Sequence, residues 1–257
     1  MKTRIRRTIE LGPDKGHGQR QAAEQELILQ IENHPKDSIM KAITGECLIR
    51  ELLSDPQRFD EAGRAYDLLQ AYFEGFPVHT LRPLLKNEDP FIQRAAIFVA
   101  SELGVESRDL IDDIIPLLAS GDRYFQYNAM EVLAVCCEGV HSEKFVHVIF
   151  RLESDDDVLR ALVMRLVSRA DVSQLEAAGR FVARDVSLQS HQEGLRILAA
   201  GESVEPGAVV AMIRTADPLL RRYGAIAAKR LLKRFPILMK EVGASHHADL
   251  CRFFEDR

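Results

Sequence analysis

There is no tryptophan among the 257 residues of this chain, and cysteine is scarce, with four in all. Each shortage narrows the field. Without tryptophan, the chain lacks the broadest stacking platform for nucleic-acid bases. None of Cys47, Cys136, Cys137 and Cys251 forms a Cys-x-x-Cys pair, so neither a zinc ribbon nor a disulfide framework is expected. Cys136 and Cys137 stand side by side in an apolar helical run and read as small core residues kept as thiols. Long apolar runs are missing as well. The longest, such as Ala95–Ala100, are far too short to cross a bilayer. The basic opening Met1–Arg20 has no apolar stretch of the kind a secretory signal needs, and Glu10 and Asp14 speak against a transit peptide.

Motifs that carry chemistry are also missing. No Gly-rich phosphate loop, His-Glu-x-x-His or nucleophile elbow occurs. The histidines are scattered: His246-His247 has no carboxylate at helical spacing, and His141 and His147 fall on nearly opposite helix faces. The acidic run Glu153–Asp157 lacks the glycine and the glutamate spacing of a calcium loop. The expectation is a non-enzymatic protein with no cofactor, no metal and no membrane contact, in the cytoplasm.

What the chain does have is a repeated pattern. Hydrophobic content of 46% and charged content of 28% suit a folded globular chain. Asp89, Asp122, Asp155, Asp185 and Asp217 open similar segments at spacings of 33, 33, 30 and 32 residues. Three residues after each comes an apolar side chain: Ile92, Phe125, Val158, Leu188 and Leu220. A period near 32 with helical patterning inside each unit marks stacked helix pairs. In each unit a first helix ends in an apolar pair such as Leu84-Leu85 or Leu117-Leu118, a short polar turn follows, and the aspartate caps the second helix. Gly104, Gly139 and Gly201 close second helices. The unit from Asp171 to Gly201 is the most eroded, with Gln192 and Gly194 at helix positions. Upstream, the pattern predicts helices over Glu24–Glu32, Ser38–Leu53 and Phe59–Phe73. The last places Ala62, Ala65, Tyr66, Leu69 and Phe73 on one side. Residues 1–23 read as a flexible basic tail, and 24–257 as a single helical array. Ala248–Phe254 reads as an amphipathic end cap.

The stretches DPFIQRAAIFVASELG at Asp89 and DPLLRRYGAIAAKRLL at Asp217 resemble HEAT repeats. The resemblance is clearest over about 76–234. It implies an all-α, right-handed α-solenoid of antiparallel helix pairs. HEAT repeats usually place arginine directly after the apolar residue, where it links neighbouring repeats. In the register above only Arg221 keeps it, with Gln93, Gln126, Leu159 and Gln189 elsewhere, so a regular arginine ladder is not expected. Acidic HEAT-like proteins of this size are similar to some bacterial immunity proteins that neutralise polymorphic toxins, and the GFPVHTLRPLL opening (from Gly75) adds to that likeness.

Charge is uneven beneath the net of −5. Glu102–Asp157 holds thirteen acids against four bases, and Arg214–Lys240 eight bases against one acid. On the second helices, positions five, nine and twelve after the aspartate lie away from the apolar face. They nominate Arg94, Phe98, Tyr127, Glu131, Arg160, Met164, Arg222 and Lys229 as a partner-binding groove along the concave wall. The expected partner is one protein, a basic toxin domain being the sharpest case. The alternative is a HEAT-like nucleic-acid-binding or glycosylase-like protein, with Arg222, Lys229 and Lys233 following phosphates. In this register Val158 is buried between repeats, so Val158→Asp is predicted to unfold the array.

Overall fold

The computed structural model describes residues 44–244 together with Leu250, Phe253 and Phe254. The expected tail at 1–23, the helix at Glu24–Glu32, the His246-His247 pair and Cys251 lie outside the described residues. Among the described residues every regular element is helical and none is a strand. Helix α1 covers residues 44–54, α2 Pro56–Glu61, α3 Ala65–Phe73, α4 Leu81–Leu85 and α5 Pro90–Glu102. Residues 104–119 wind as a 3-10 turn, a short helix α6 (Ile111–Ile114) and a second 3-10 turn; Pro116, with no N–H to give, opens the latter. Then α7 spans Arg123–Cys136. Residues 139–153 repeat the 3-10, helix, 3-10 course around α8 (Val146–Ile149), here without a proline to cause it. The rest are α9 (Asp157–Arg169), α10 (Val172–Val182), α11 (Gln189–Ala200), α12 (Pro206–Arg214), α13 (Pro218–Arg230) and α14 (Leu238–Ala244).

Four of the turns share one hydrogen-bonding pattern. An Asn, Ser or Thr oxygen accepts from the N–H of the aspartate two residues on: Asn87 for Asp89, Ser120 for Asp122, Ser154 for Asp156 and Thr215 for Asp217. The aspartate's Oδ1 then accepts from the first free N–H groups of the helix, such as Tyr124 N at 2.7 Å and Leu219 N at 2.7 Å. Four residues after the aspartate, a long polar side chain bends back to a carbonyl near the turn. Gln93 donates to Leu85 O, Gln126 to Ser120 O, Arg160 to Ser154 O and Arg221 to Thr215 O.

That pattern moves the register of one repeat. The cap of α9 is Asp156, not Asp155. The buried residue three positions on is therefore Leu159, while Val158 is 47% exposed. An aspartate at Val158 would face water, and the predicted unfolding is withdrawn. Arg160 now occupies the place of Gln93 and Arg221, so its side chain is part of the turn.

A further link runs between repeats through the caps' second oxygen. Asp122 Oδ2 accepts from Arg94 of α5 at 3.1 Å, Asp156 Oδ2 from Arg123 of α7, and Asp217 Oδ2 from Ser190 of α11. One carboxylate thus caps the start of one helix and ties it to its predecessor.

Upstream, the expected helix Phe59–Phe73 is two helices, because Gly63 with φ of 67° ends the first. The break resets the helical phase. Phe59, Leu68, Leu69 and Tyr72 are buried, and Tyr66 and Phe73 turn outward.

Helix α5 packs between α3 and α7, and α7 packs on α9. Then α9 meets α13, which also packs on α11; α4, α10 and α12 brace α5, α11 and α13. The buried apolar side chains form one contiguous cluster from Leu48 to Phe253. Cys136 and Cys137 are free thiols inside it, pushed up by burial to about 11 and about 12. No described helix is long and apolar enough to cross a membrane.

Candidate partner-binding face

The outward faces of α3, α5 and α7 carry a group of aromatic side chains. Tyr66 on α3 is 65% exposed and meets half-buried Phe98 of α5 edge to face, with ring centroids 5.1 Å apart. One turn before Phe98, the Arg94 guanidinium lies over the Tyr124 ring of α7, 4.4 Å from its centroid, and 3.1 Å from Asp122. Tyr127 follows on α7, 47% exposed. Glu131 is one turn further along the same helix. Ser101 of α5 donates to Asn128 of α7 at 2.9 Å and fixes the spacing of the two helices beneath the rings.

The electrostatics of the patch follow from half-burial. Burial pushes the Tyr124 hydroxyl up, opposed by Arg94 and assisted by Asp60 and Asp122. Burial likewise pushes Tyr127 up, and the neighbouring Glu131 carboxylate acts in the same direction. Both phenols are therefore neutral donors across the physiological range.

Of the eight residues nominated from sequence, four lie on the two adjacent helices of this face: Arg94 and Phe98 on α5, Tyr127 and Glu131 on α7. The other four are placed elsewhere. Met164 has no exposed surface and belongs to the core. Arg160 holds the turn before α9 through Ser154 O at 2.6 Å. Arg222 donates to Leu152 O at 2.7 Å, and Lys229 to Phe253 O at 3.2 Å while lying over the Phe253 ring. Pattern reasoning put Tyr66 on a core face and passed over Tyr124. The signal that could have exposed Tyr66 was Gly63, a helix breaker in its own right.

Several other bases of the C-terminal basic stretch are engaged by the protein itself. Arg230 reaches the last carbonyls of α9, with Ala170 O at 2.7 Å and Ser168 O at 3.3 Å, where a cation also favours the helix dipole. Arg221 and Arg234 donate to carbonyls, and Arg214 pairs with Glu241 at 2.6 Å.

One polar cluster was missed altogether. His191 of α11 is 1% exposed, with Nδ1 2.8 Å from the Tyr223 hydroxyl and Nε2 3.1 Å from Glu153 Oε1. Its ring stands edge-to-face with those of Phe150 and Tyr223. Burial lowers its pKa, partly offset by Glu153 and Asp217. It lines a cleft of about 410 Å³ with Glu153, Asp155, Ser190, Asp217 and Arg222. The Ser190 hydroxyl donates to Asp217, so it is not poised against the histidine as a nucleophile would be. Among the described residues no group of three or more His, Cys, Asp or Glu could hold a metal ion.

Compared with known proteins, the chain matches no protein-family model and no curated protein sequence.

Proposed function

We propose that the chain is a non-catalytic protein-binding module, a HEAT-like α-solenoid of antiparallel helix pairs, and that it grips one protein partner across α3, α5 and α7. The observation that carries this reading is the set of exposed Tyr66 and Tyr127 with half-buried Phe98 and Arg94, carried on three successively packed helices. Aromatic and arginine side chains dominate the centres of protein interfaces, because they combine large contact area with hydrogen-bonding tips. The solenoid reading is supported by the recurring turn, by the cap aspartates that tie one repeat to the next, and by the succession α3, α5, α7, α9 in contact. The narrower proposal is toxin immunity, with the module covering a toxin's working surface.

The test is capture from native lysate by the tagged full chain, beside a Tyr66→Ala/Tyr127→Ala variant. Both side chains are largely exposed, so the variant should melt within a few degrees of the wild type. A stoichiometric protein retained by the wild type and lost by the folded variant is the expected result. A toxic protein whose toxicity the chain abolishes would establish immunity. Undiminished capture by the variant would remove the face from the mechanism.

A further inference from the structure

The rings of the candidate face stand among carboxylates. Among the charges that act on Tyr124 are those of Asp60, Asp122 and Arg94, and among those that act on Tyr127 are Glu102, Glu131 and Arg165. Of these, Arg94 and Asp122 are ion-paired and offset one another, so the remaining named charges are Asp60, Glu102 and Glu131 against Arg165. The same sign prevails over the neighbouring acid-rich stretch Glu102–Asp157.

The protein itself shows how this surface holds a cation. Arg94 stacks on the Tyr124 ring and takes a carboxylate at its edge, so attraction to the π face and ion pairing act together. Tyr66, exposed and braced edge-on by Phe98, presents the next ring along, with Asp60 exposed on α2. A lysine or arginine arriving there meets a ring and a negative field. A glutamate or a phosphate meets the same field as repulsion.

We infer, on the reading that this face binds a protein, that its partner presents a basic segment whose lysine or arginine side chains stack on Tyr66 and Tyr127 between Asp60 and Glu131. Aromatic or aliphatic side chains between those cations would cover Phe98. Such a segment associates fast at low salt and more slowly as salt screens the field.

The absence of tryptophan supplies the assay. Three of the five tyrosines, Tyr66, Tyr124 and Tyr127, are on this face, so tyrosine emission of the full chain reports on it directly. Two peptides of equal length, one alternating lysine with phenylalanine and one glutamate with phenylalanine, are titrated against the wild type, Tyr66→Ala and Asp60→Lys/Glu131→Lys. A single-stranded DNA oligonucleotide serves as the phosphate probe. The expected result is saturable binding of the lysine peptide, at least about tenfold tighter than the glutamate peptide or the DNA. Binding should be weakened by Tyr66→Ala, and the preference reversed in Asp60→Lys/Glu131→Lys. If the glutamate peptide or the DNA binds as tightly as the lysine peptide, and Tyr66→Ala weakens that binding, the face is a binding site but the basic-partner inference is overturned. If no probe binds with Kd below about 1 mM, or if binding ignores Tyr66→Ala, the protein-binding reading of this face falls, and the inference with it.

Discussion

Gly194 shows how much a single residue's meaning depends on a neighbour far along the chain. A Cβ built there would lie 2.2 Å from the ring of Tyr223, which is fully buried and fixed by its hydrogen bond to His191. Alanine normally gains about 1 kcal/mol over glycine inside a helix. Forcing an extra methyl into a filled core costs about 1–3 kcal/mol, so the clash should win. Gly179 on α10 is the control, because its Cβ would sit 4.0 Å from Leu195 Cβ, an ordinary contact. Thermal melts should therefore move in opposite directions, down for Gly194→Ala and up for Gly179→Ala. A stabilised Gly194→Ala would mean that Tyr223 is not packed as described. In the sequence Gly194 looks like erosion of a repeat, since nothing local announces a ring brought in from α13. Gln192 was misread for the same reason: it donates to Val182 O and Asp185 O, joining α11 to the preceding turn.

At the level of elements, the turn before each second helix was the most legible feature of the chain. Its aspartates, closing glycines and apolar pairs fix where helices start and stop through local hydrogen bonds, and local chemistry can be read locally. The register of α9 could not be, because Asp155, Asp156 and Asp157 are equally good caps on paper. Ser154, two residues before Asp156, decides among them, and only once the other three turns show the rule. The face of the candidate site was half legible. Positions on α5 and α7 followed from periodicity, but α3 did not, since Gly63 resets the phase between it and α2. The role of Arg160 is testable on this footing. Arg160→Gln places there the residue found at the matching sites, Gln93 and Gln126, and should leave the melt nearly unchanged. Arg160→Ala removes a charge-assisted bond to Ser154 O and should cost about 1–3 kcal/mol. Equal stability of the two variants would show that the side chain does not hold the turn. Charge reversal at Arg160 would accordingly be a lesion of folding rather than of binding.

At the scale of the whole molecule, α13 packs on both α9 and α11, and at that junction pH is the natural probe. His191 touches Tyr223 of α13 on one side and Glu153, just before α9, on the other, while Arg222 and Arg230 of α13 reach carbonyls of the Leu152 turn and the end of α9. The groups facing the imidazole are Glu153, Asp217 and the Tyr223 hydroxyl, and burial outweighs the two carboxylates, so its folded pKa lies below the usual value near 6.5. A base with a lowered folded pKa stays neutral in the fold while the unfolded chain takes a proton. Its contribution to stability is therefore complete above pH about 6.5 and declines as pH falls through that value, until the folded pKa is reached. For one proton the slope is at most about 1.4 kcal/mol per pH unit. Half-buried His147 is lowered too, by burial and by Arg151 and Lys144, and adds to the same decline. Urea unfolding between pH 7.5 and 5.5 should thus show falling stability in the wild type, a shallower fall in His191→Gln and His147→Gln, and the shallowest in the double variant. Because the comparison is of slopes, it is unaffected by whatever the substitution costs at neutral pH. A His191→Gln variant with the wild-type slope would show that the imidazole is solvated in the native state, and that the α9–α13 junction is more open than its hydrogen bonds describe.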